Sequence, residues 1–247
     1  MRFLIGVENR IRQLRRRLSP LLYAGTSVYC PFCDRTYRSF RPAGRRKFRR
    51  PNAVCAVCGS RERDRLMHEF LHNRKDLSRD NAKLLHIAPE ACLRPAIADM
   101  GDELYLSCDL LRRDVDIRLN IEQMPFTDQF FDIVFCSHVL PEVEHDESAL
   151  AEIHRVLNPE GWALVSVPSM GESTTSVQPG DEHEAPPEFF RIYGDEFSLQ
   201  LVKHGFDVER IDLNDVLDQE QQSRMRIDTQ TASAIYLLRR QANVELD

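Results

Sequence analysis

Four cysteines arranged as two Cys-x-x-Cys pairs are the residues whose spacing points most directly to chemistry. Cys30 and Cys33 form the first pair, and Cys55 and Cys58 form the second, with 21 residues between them. Such turns let thiolates converge on one tetrahedral ion, and Gly59 frees the backbone beside the second turn. The pattern predicts a structural zinc site, because four protein ligands leave no open position on the metal. A redox pair and unbonded cysteines are the alternatives.

The stretch between the cysteine pairs mixes basic and aromatic residues. The basic ones are Arg35, Arg38, Arg41, Arg45, Arg46, Lys47, Arg49 and Arg50, and the aromatic ones are Tyr37, Phe40 and Phe48. This mixture would suit contacts with phosphates and stacking on bases. It would equally suit a solvated face on a small domain whose few aromatic side chains form its core.

Charge is divided unevenly along the chain, although the net charge is only −6. Residues 1–75 carry 19 Lys and Arg against 5 Asp and Glu, whereas the remainder carries 14 basic and 34 acidic residues. The basic part could meet nucleic acid, an anionic membrane surface or the acidic part itself. A basic amphipathic helix is expected at 7–18, where Val7, Ile11, Leu14 and Leu18 recur at helical spacing.

A second group of polar residues follows expected strands in the remainder of the chain. The strand Leu84–Ile87 runs into Ala88-Pro89-Glu90, and the strand Leu104–Cys108 ends at Asp109. Ligands of an open parallel sheet bind beyond the carboxyl ends of its strands, and a carboxylate about 20 residues after the first turn can hold both ribose hydroxyls. A third segment, 120–126, precedes the strand Phe131–Ser137. These residues predict a nucleotide-like cofactor site.

The elements that must position these residues alternate between strand and helix. Further strands are expected at 162–168, 206–213 and 232–239, and helices at 93–100, 148–157 and 195–204. Such alternation implies parallel pairing through right-handed crossovers. The fold class is therefore α/β: a doubly wound, Rossmann-like seven-stranded sheet with a small N-terminal zinc-binding module.

Three segments are expected along the chain: the basic helix in 1–27, the cysteine module with a following helix in 28–75, and the sheet domain in 76–247. Ser60 is the expected N-cap of that following helix. No stretch is apolar enough to span a bilayer, and the apolar run near Met1 is too short for a signal peptide, so a cytoplasmic location is expected.

Residues 84–168 resemble a class I S-adenosylmethionine-dependent methyltransferase of the type 11 group. The matching motifs are Met124-Pro125-Phe126, the strand motif 131–134, the motif 137–140 and the motif 155–162. With a similar cysteine module ending in Cys-Gly-Ser, the resemblance spans roughly residues 28–210. It implies the fold above and S-adenosylmethionine as cofactor.

The resemblance also implies roles for single residues. Asp109 would hold the ribose, Asn120 the adenine amino group and Ile121 the ring, while Ala88 would approach the methionine end. Ser137 and His138 would close the cofactor from the far side.

The first loop departs from the glycine-rich pattern of the family, and its acidic start is replaced by His86. Glu90 could then pair with the ammonium group of the cofactor.

The acceptor is the least determined part of the site. His183, on a loop expected at 171–190, is the candidate general base, because the histidine pKa lies near neutrality. Arg191 and Tyr193 could bind an anionic or hydroxylated acceptor. We expect methyl transfer to a small molecule or glycan; the alternative is an RNA-binding protein or RNA methyltransferase that docks through residues 1–75.

Overall fold

The computed structural model describes residues 19–44, 48–101, 103–168, 171–180, 186–229, 232 and 234–241. The helix expected at 7–18 lies outside these residues. The strands are β1 Val28–Cys30, β2 Arg35–Tyr37, β3 Arg41–Ala43, β4 Arg50–Val54, β5 Lys83–Ile87, β6 Leu104–Asp109, β7 Ile117–Arg118, β8 Phe131–Ser137, β9 Leu157–Val167, β10 Thr175–Ser176, β11 Arg191–Ile192, β12 Phe206–Ile211 and β13 Ala234–Arg240. The α-helices are α1 Glu62–Asn73, α2 Arg94–Ala98, α3 Asp146–Val156, α4 Phe197–Lys203, α5 Leu213–Val216 and α6 Gln219–Met225.

Seven strands form one sheet in the order β12-β13-β9-β8-β5-β6-β7. The strands from β9 to β7 pair in parallel, whereas β13 is antiparallel to both β9 and β12. The carboxyl ends of β5, β6 and β8 therefore meet at one edge, where the sequence places the cofactor. This topology confirms the predicted α/β fold class.

The central strands are buried on both faces, as expected of parallel strands covered by helices on each side. In β8, six of seven residues are buried, and in β5, four of five. One buried cluster lies on the face covered by α3 and α4, and includes Leu150, Phe197 and Phe206. The other lies on the opposite face and includes Trp162 and Leu237.

The largest shift of a predicted boundary is at the start of β9. β9 begins at Leu157, so residues 158–161, expected to form a turn that closes the preceding helix, extend the strand instead. The pairing of β8 with β9 skips between Phe131 and Ile133. Gly161 fits this irregular ladder because an added Cβ would lie 2.5 Å from the carbonyl oxygen of Asp132.

The cysteine module consists of two short hairpins, β1–β2 and β3–β4, around a small buried cluster. α1, which follows the module in sequence, does not join that cluster. Its apolar residues Leu66, Met67 and Phe70 pack in the same buried cluster as Leu84 of the sheet. Within the described residues, no helix is long and apolar enough to cross a bilayer.

Candidate functional site: a sulfur cluster and the cofactor edge of the sheet

The structure brings the four paired cysteines together. Cys30 Sγ lies 3.6 Å from Cys58 Sγ, and Cys33 Sγ lies 3.8 Å from Cys55 Sγ. All four sulfur atoms lie within 4.8 Å of one another, and none is in a disulfide. Zinc–sulfur bonds of about 2.3 Å in a tetrahedron place neighbouring sulfurs about 3.8 Å apart. The observed distances therefore fit one tetrahedral ion.

Turn geometry explains how the sulfurs converge. In the first turn the backbone N–H of Cys33 donates to the carbonyl of Cys30 at 3.2 Å, and in the second that of Gly59 donates to Cys55 at 3.1 Å. Gly59 has φ of 85°, a conformation that glycine adopts without steric penalty. Hydrogen bonding from Cys30 lowers the pKa of both Cys55 and Cys58, while the neighbouring thiols raise that of Cys30, so the four thiols titrate as one coupled group.

Ser60 has a different role from the predicted one. The N-cap of α1 is Arg61, whose backbone N–H donates to Asp64 Oδ2 at 2.8 Å, so the assignment of Ser60 was wrong. Ser60 Oγ instead lies 3.4 Å from Cys30 Sγ and 3.2 Å from Cys58 Sγ. The hydroxyl of this buried serine is therefore within hydrogen-bonding distance of two of the four sulfurs.

The loop after β5 adopts a conformation that usually requires glycine. Ala88 has φ of 49°, and its backbone N–H donates to the carbonyl of Cys108 in β6 at 2.7 Å. A non-glycine residue at positive φ is uncommon and stores strain that the surrounding structure must hold. The loop thus keeps a tight turn at the sheet edge without the glycines of the family pattern.

His86 lies beneath this loop and uses both ring nitrogens. Its Nδ1 is 2.9 Å from the hydroxyl of Tyr105, and its Nε2 is 3.3 Å from Glu90 Oε2. The imidazole is only 1% exposed. Burial raises the pKa of Glu90, but hydrogen bonding and charge from His86 outweigh burial and leave that pKa below its usual value. His86 therefore orients Glu90 and keeps it ionised. Cofactor contact by either residue stays a prediction.

Asp109 ends β6 with its carboxylate partly fixed. Its Oδ1 accepts the backbone N–H groups of Leu111 and Arg112, at 2.8 and 2.9 Å. These two bonds hold the carboxylate at the sheet edge, which suits a group that binds a diol. Next to it, Leu110 is 55% exposed, an unusual state for a leucine beside an expected ligand site.

Arg112 also lies at this edge, and the sequence interpretation missed it. Its Nη1 donates to the carbonyl of Pro89 at 2.6 Å, and its Nη2 donates to Asp114 at 2.8 Å. The side chain therefore ties the loop after β6 to the loop after β5. An arginine just past the predicted acidic residue was the only signal in the sequence, and it did not reveal the partner.

The third predicted segment also reaches the same edge. The backbone N–H of Leu119 donates to the carbonyl of Asp109 at 3.2 Å. Asn120 is exposed, and its Oδ1 accepts the backbone N–H of Glu122 at 3.0 Å. Ile121 is only 5% exposed and packs in the core beneath the loop. Their predicted adenine contacts are untested.

At the end of β8, Ser137 and His138 take different positions. Ser137 is buried, and its hydroxyl oxygen accepts a hydrogen bond from Ser166 Oγ at 3.0 Å. His138 has φ of 56°, and its backbone N–H donates to the carbonyl of Ser166 at 2.8 Å. Two non-glycine residues at positive φ, Ala88 and His138, thus mark the ends of neighbouring strands. Such strain clusters at functional sites.

The residues predicted for the acceptor are not grouped in one open site. Tyr193 is fully buried and donates to Asp146 Oδ2 at 2.7 Å. Arg191 donates to the carbonyls of Val143 and Glu144, at 3.0 and 2.9 Å. Both side chains brace the start of α3 in this structure, so acceptor binding by either stays a prediction. His183 lies outside the described residues.

Arg155 explains why the resemblance includes both Met124-Pro125-Phe126 and the motif that begins at 155. The guanidinium donates to the carbonyls of Met124 and Phe126, at 3.0 and 2.8 Å. It also binds Glu152 Oε1 at 2.6 Å. The turn that leads into β8 is therefore fastened by a side chain from the end of α3.

Residues 98–165 match a family model described as a methyltransferase domain. Over this range the chain is therefore similar to methyltransferase-domain proteins. The matched range includes Asp109, Asn120 and His138 but begins after the loop that holds Ala88, where this sequence departs from the glycine-rich pattern.

A curated relative supports the same assignment. The ubiquinone/menaquinone biosynthesis C-methyltransferase of Shewanella sp. (strain ANA-3) is 27% identical over 165 residues, covering 56% of this chain. The match covers 64% of that protein, so the chain spans less than two thirds of the relative's length.

Solved structures share the fold at low sequence identity. An S-adenosylmethionine-dependent methyltransferase from Mesorhizobium loti matches with a TM-score of 0.55 and 14% identity, covering 71% of this chain and 98% of that one. A chain from the complex of the Haloferax volcanii Trm112 methyltransferase activator with a methyltransferase matches with a TM-score of 0.53 and 15% identity, covering 74% and 92%. At such identities the likeness shows the methyltransferase fold.

The described residues include only part of the basic region that was predicted to contact nucleic acid. Arg45, Arg46 and Lys47 lie outside the described part, as do residues 1–18. Arg50, the last of that basic run, donates to Glu62 Oε1 at 3.0 Å. Docking of RNA through residues 1–75 stays a prediction.

Proposed function

We propose that this chain transfers the methyl group of S-adenosylmethionine to a small-molecule or glycan acceptor, and that its four cysteines hold a structural zinc ion. The observation that carries the proposal is the meeting of the loops after β5 and β6 around Asp109. Ala88 donates to Cys108 and Arg112 donates to Pro89, so both loops are held at the carboxyl edge of the parallel sheet. Ligands of such sheets bind at this edge.

The donor set at the edge fits the cofactor. Asp109 offers a carboxylate for the two ribose hydroxyls, and Glu90 offers a carboxylate, kept ionised by His86, for the ammonium group. The exposed side chain of Leu110 offers an apolar surface for the adenine ring. When bound, S-adenosylmethionine supplies a methyl group that its sulfonium already activates.

The chain itself must align the acceptor with that methyl group. Proximity and orientation supply much of the rate in such a transfer. An oxygen acceptor also needs a base to remove its proton, and His183 is the candidate we retain for that role. The curated relative named for C-methylation in quinone biosynthesis and the Mesorhizobium loti methyltransferase support the reaction class.

Zinc fits the cysteine module because its four sulfurs have tetrahedral spacing and it has little other core. Five residues form its buried cluster, and two of them are Cys30 and Cys55. A domain this small usually needs a metal or disulfides to fold. Four ligands close the coordination shell, so the zinc would stabilise the module and take no part in methyl transfer.

The test of the methyltransferase proposal is calorimetric titration with S-adenosylhomocysteine. Asp109→Asn keeps an acceptor for the N–H groups of Leu111 and Arg112 but removes the charge. Losing one charged hydrogen bond costs about 1.5–3 kcal/mol, so we expect binding to weaken by at least about tenfold.

The matched control is Asp80→Asn, an exposed aspartate that precedes β5 and so lies near the opposite edge of the sheet. It should bind as the wild type does. No binding by the folded wild type, or equal losses in both variants, would overturn the cofactor assignment.

A further inference from the structure

Three arginines gather around the start of α1, which reaches the carboxyl edge of the sheet. Arg50 comes from β4, while Arg61 and Arg63 flank the first residue of the helix, Glu62. The helix touches the loop after β5 directly, because Cys92 Sγ lies 3.5 Å from Asp64 Oδ2. The cysteine module and the start of α1 therefore lie beside the loop after β5, at the carboxyl edge of the sheet.

The positive charge of this cluster is incompletely paired. Arg50 is bound to Glu62 at 3.0 Å, and Arg63 Nε lies 3.5 Å from Asp64 Oδ1. Arg63 Nε and Asp64 Oδ1 are both buried, and neither makes a hydrogen bond within the described residues. Arg61 has no carboxylate at ion-pair distance in the same described set, although its side chain is exposed.

The charges of these arginines affect the pKa values of two groups that follow β8, His138 and Glu142. Burial, followed by the charges of Arg63, Arg61 and Arg50, holds the pKa of His138 well below its usual range. Arg63 also acts on Glu142, whose pKa is nevertheless raised, chiefly by burial. Arg63 also lowers the pKa of Glu90, in the loop after β5, which the Cys92–Asp64 contact brings beside the start of α1.

The arginines of this cluster also repel one another. Partial burial and the neighbouring charge of Arg63 lower the pKa of Arg61, and the nearby carboxylates do not offset this. A bound anion would relieve the mutual repulsion. The amino end of α1 adds the positive end of a helix dipole, which favours an anion at the same place.

We propose that Arg61 and Arg63 bind an anionic group, a carboxylate or a phosphate, of the methyl acceptor. This inference rests on the proposed methyltransferase function and names the acceptor class: molecules that carry such a group near the methylated atom. Asp109 ends β6, on one side of β5, whereas His138 and Glu142, on which the arginines act, follow β8 on the other side, and Glu90 lies in the loop between them. Arginine recognises planar and tetrahedral oxyanions through paired hydrogen bonds.

The experiment titrates inorganic phosphate into the full chain at low ionic strength and follows it by phosphorus NMR, with and without saturating S-adenosylhomocysteine. We compare the wild type with the double variant Arg61→Gln/Arg63→Gln. Arg239→Gln is the control: this half-exposed arginine near the end of the antiparallel strand β13 lies toward the opposite edge of the sheet. Losing a hydrogen bond to a charged group should weaken phosphate binding by about tenfold or more in the double variant alone.

A second measurement tests whether the arginines bind the acceptor or the carboxylate of the cofactor. The affinity of the double variant for S-adenosylhomocysteine should stay within about twofold of wild type, since removing rim charges has little effect on a ligand they do not touch. A tenfold loss, with unchanged binding of 5′-methylthioadenosine, which lacks that carboxylate, would assign the arginines to the cofactor and overturn the proposal.

Three further results would also overturn it: no phosphate binding by the wild type, equal binding by the double variant, or equal loss in Arg239→Gln. Circular dichroism of each variant checks that it is folded. Failure of the wild type to bind S-adenosylhomocysteine is a separate result, which would remove the proposed function, because the phosphate titration without that ligand is read independently.

Discussion

The cysteine module and the seven-stranded sheet are stabilised in opposite ways. The module buries five residues in its cluster and gathers four sulfurs at one point. The sheet is covered on both faces by large apolar clusters, and strands such as β8 are almost wholly buried. The stability of the module is therefore expected to depend mainly on the cysteine site, whereas the sheet is stabilised by many apolar contacts.

The two regions are nevertheless joined by a buried polar link. Arg65 of α1 is fully buried and donates to the carbonyls of Ala53 and Ser60 in the module, at 3.1 and 3.0 Å. It also donates to Met225 at the end of α6, at 3.0 Å. A module with a small apolar core can thus be held in place against the sheet domain by one buried arginine and its hydrogen bonds.

Removing one cysteine of the cluster should have the largest effect on stability of all the substitutions considered, and it should unfold the module. Structural zinc contributes an apparent 10–16 kcal/mol in zinc-finger peptides, so Cys55→Ser should lose about one zinc per chain and unfold the module. Metal analysis and thermal unfolding measure both effects. Cys92→Ser, a cysteine outside the cluster, should keep the zinc. Equal zinc content in all three proteins would contradict the assignment.

Replacing the buried arginine should uncouple the two regions. Arg65→Met has a similar volume but leaves the carbonyls of Ala53 and Met225 without this donor, while that of Ser60 keeps the N–H of Cys55, so we expect a loss of about 3 kcal/mol in the free energy of unfolding. Urea unfolding measures it, with Arg239→Met as the exposed control. If the variant unfolds with wild-type stability, Arg65 does not link the regions.

A polar clamp inside the sheet domain should matter less and should depend on pH. Arg155→Met removes the donors to Met124 and Phe126, and we expect a loss of about 1–2 kcal/mol at pH 7. Hydrogen bonding to Arg155 lowers the pKa of Glu152. A depressed carboxyl pKa stabilises the fold above its unfolded value and loses that effect as pH falls through the folded value.

The difference in stability between wild type and Arg155→Met should therefore be full at neutral pH and shrink below about pH 4.5, the usual range of glutamate. Urea unfolding at a series of pH values measures it, and the exposed Arg118→Met serves as control. A difference that grows as the pH falls would show that Glu152 is not the partner.

The smallest expected effect concerns the strained loop after β5. Ala88→Gly relieves a positive φ, worth about 1–2 kcal/mol, but adds entropy to the unfolded chain, which offsets about half of it. We expect a net gain of about 0.5 kcal/mol in thermal unfolding. Ala149→Gly, in the middle of α3, should instead lose about 1 kcal/mol or more. A loss at Ala88 as large as that at Ala149 would mean that no strain is stored there.

Much of the sheet could be predicted because its signals are local. The apolar runs at 84–87 and 131–137 are too short for helices and end in polar residues, and both are strands in the structure. The boundary of β9 was missed because its first residues read locally as a turn, while pairing with β8 made them a strand. Ser60 was misassigned because a capping serine and a serine beside thiols look the same in sequence.

The cofactor edge could be predicted only as a set of backbone positions. The sequence placed Ala88, Asp109 and His138 after strands, and parallel pairing brings such ends together. It could not show that Arg112 reaches Pro89, or that Tyr193 faces Asp146, because those partners depend on how loops fold over the sheet.

The amino-acid sequence by itself determined the α/β fold class, the grouping of the four cysteines and the strand ends that carry the residues predicted to bind the cofactor. These follow from periodicity and from spacing, which act over a few residues. Only the tertiary structure decided that α1 packs on the sheet and that its start touches the loop after β5. That placement comes from long-range burial and from the hydrogen bonds of Arg65, which join residues as far apart as Ala53 and Met225.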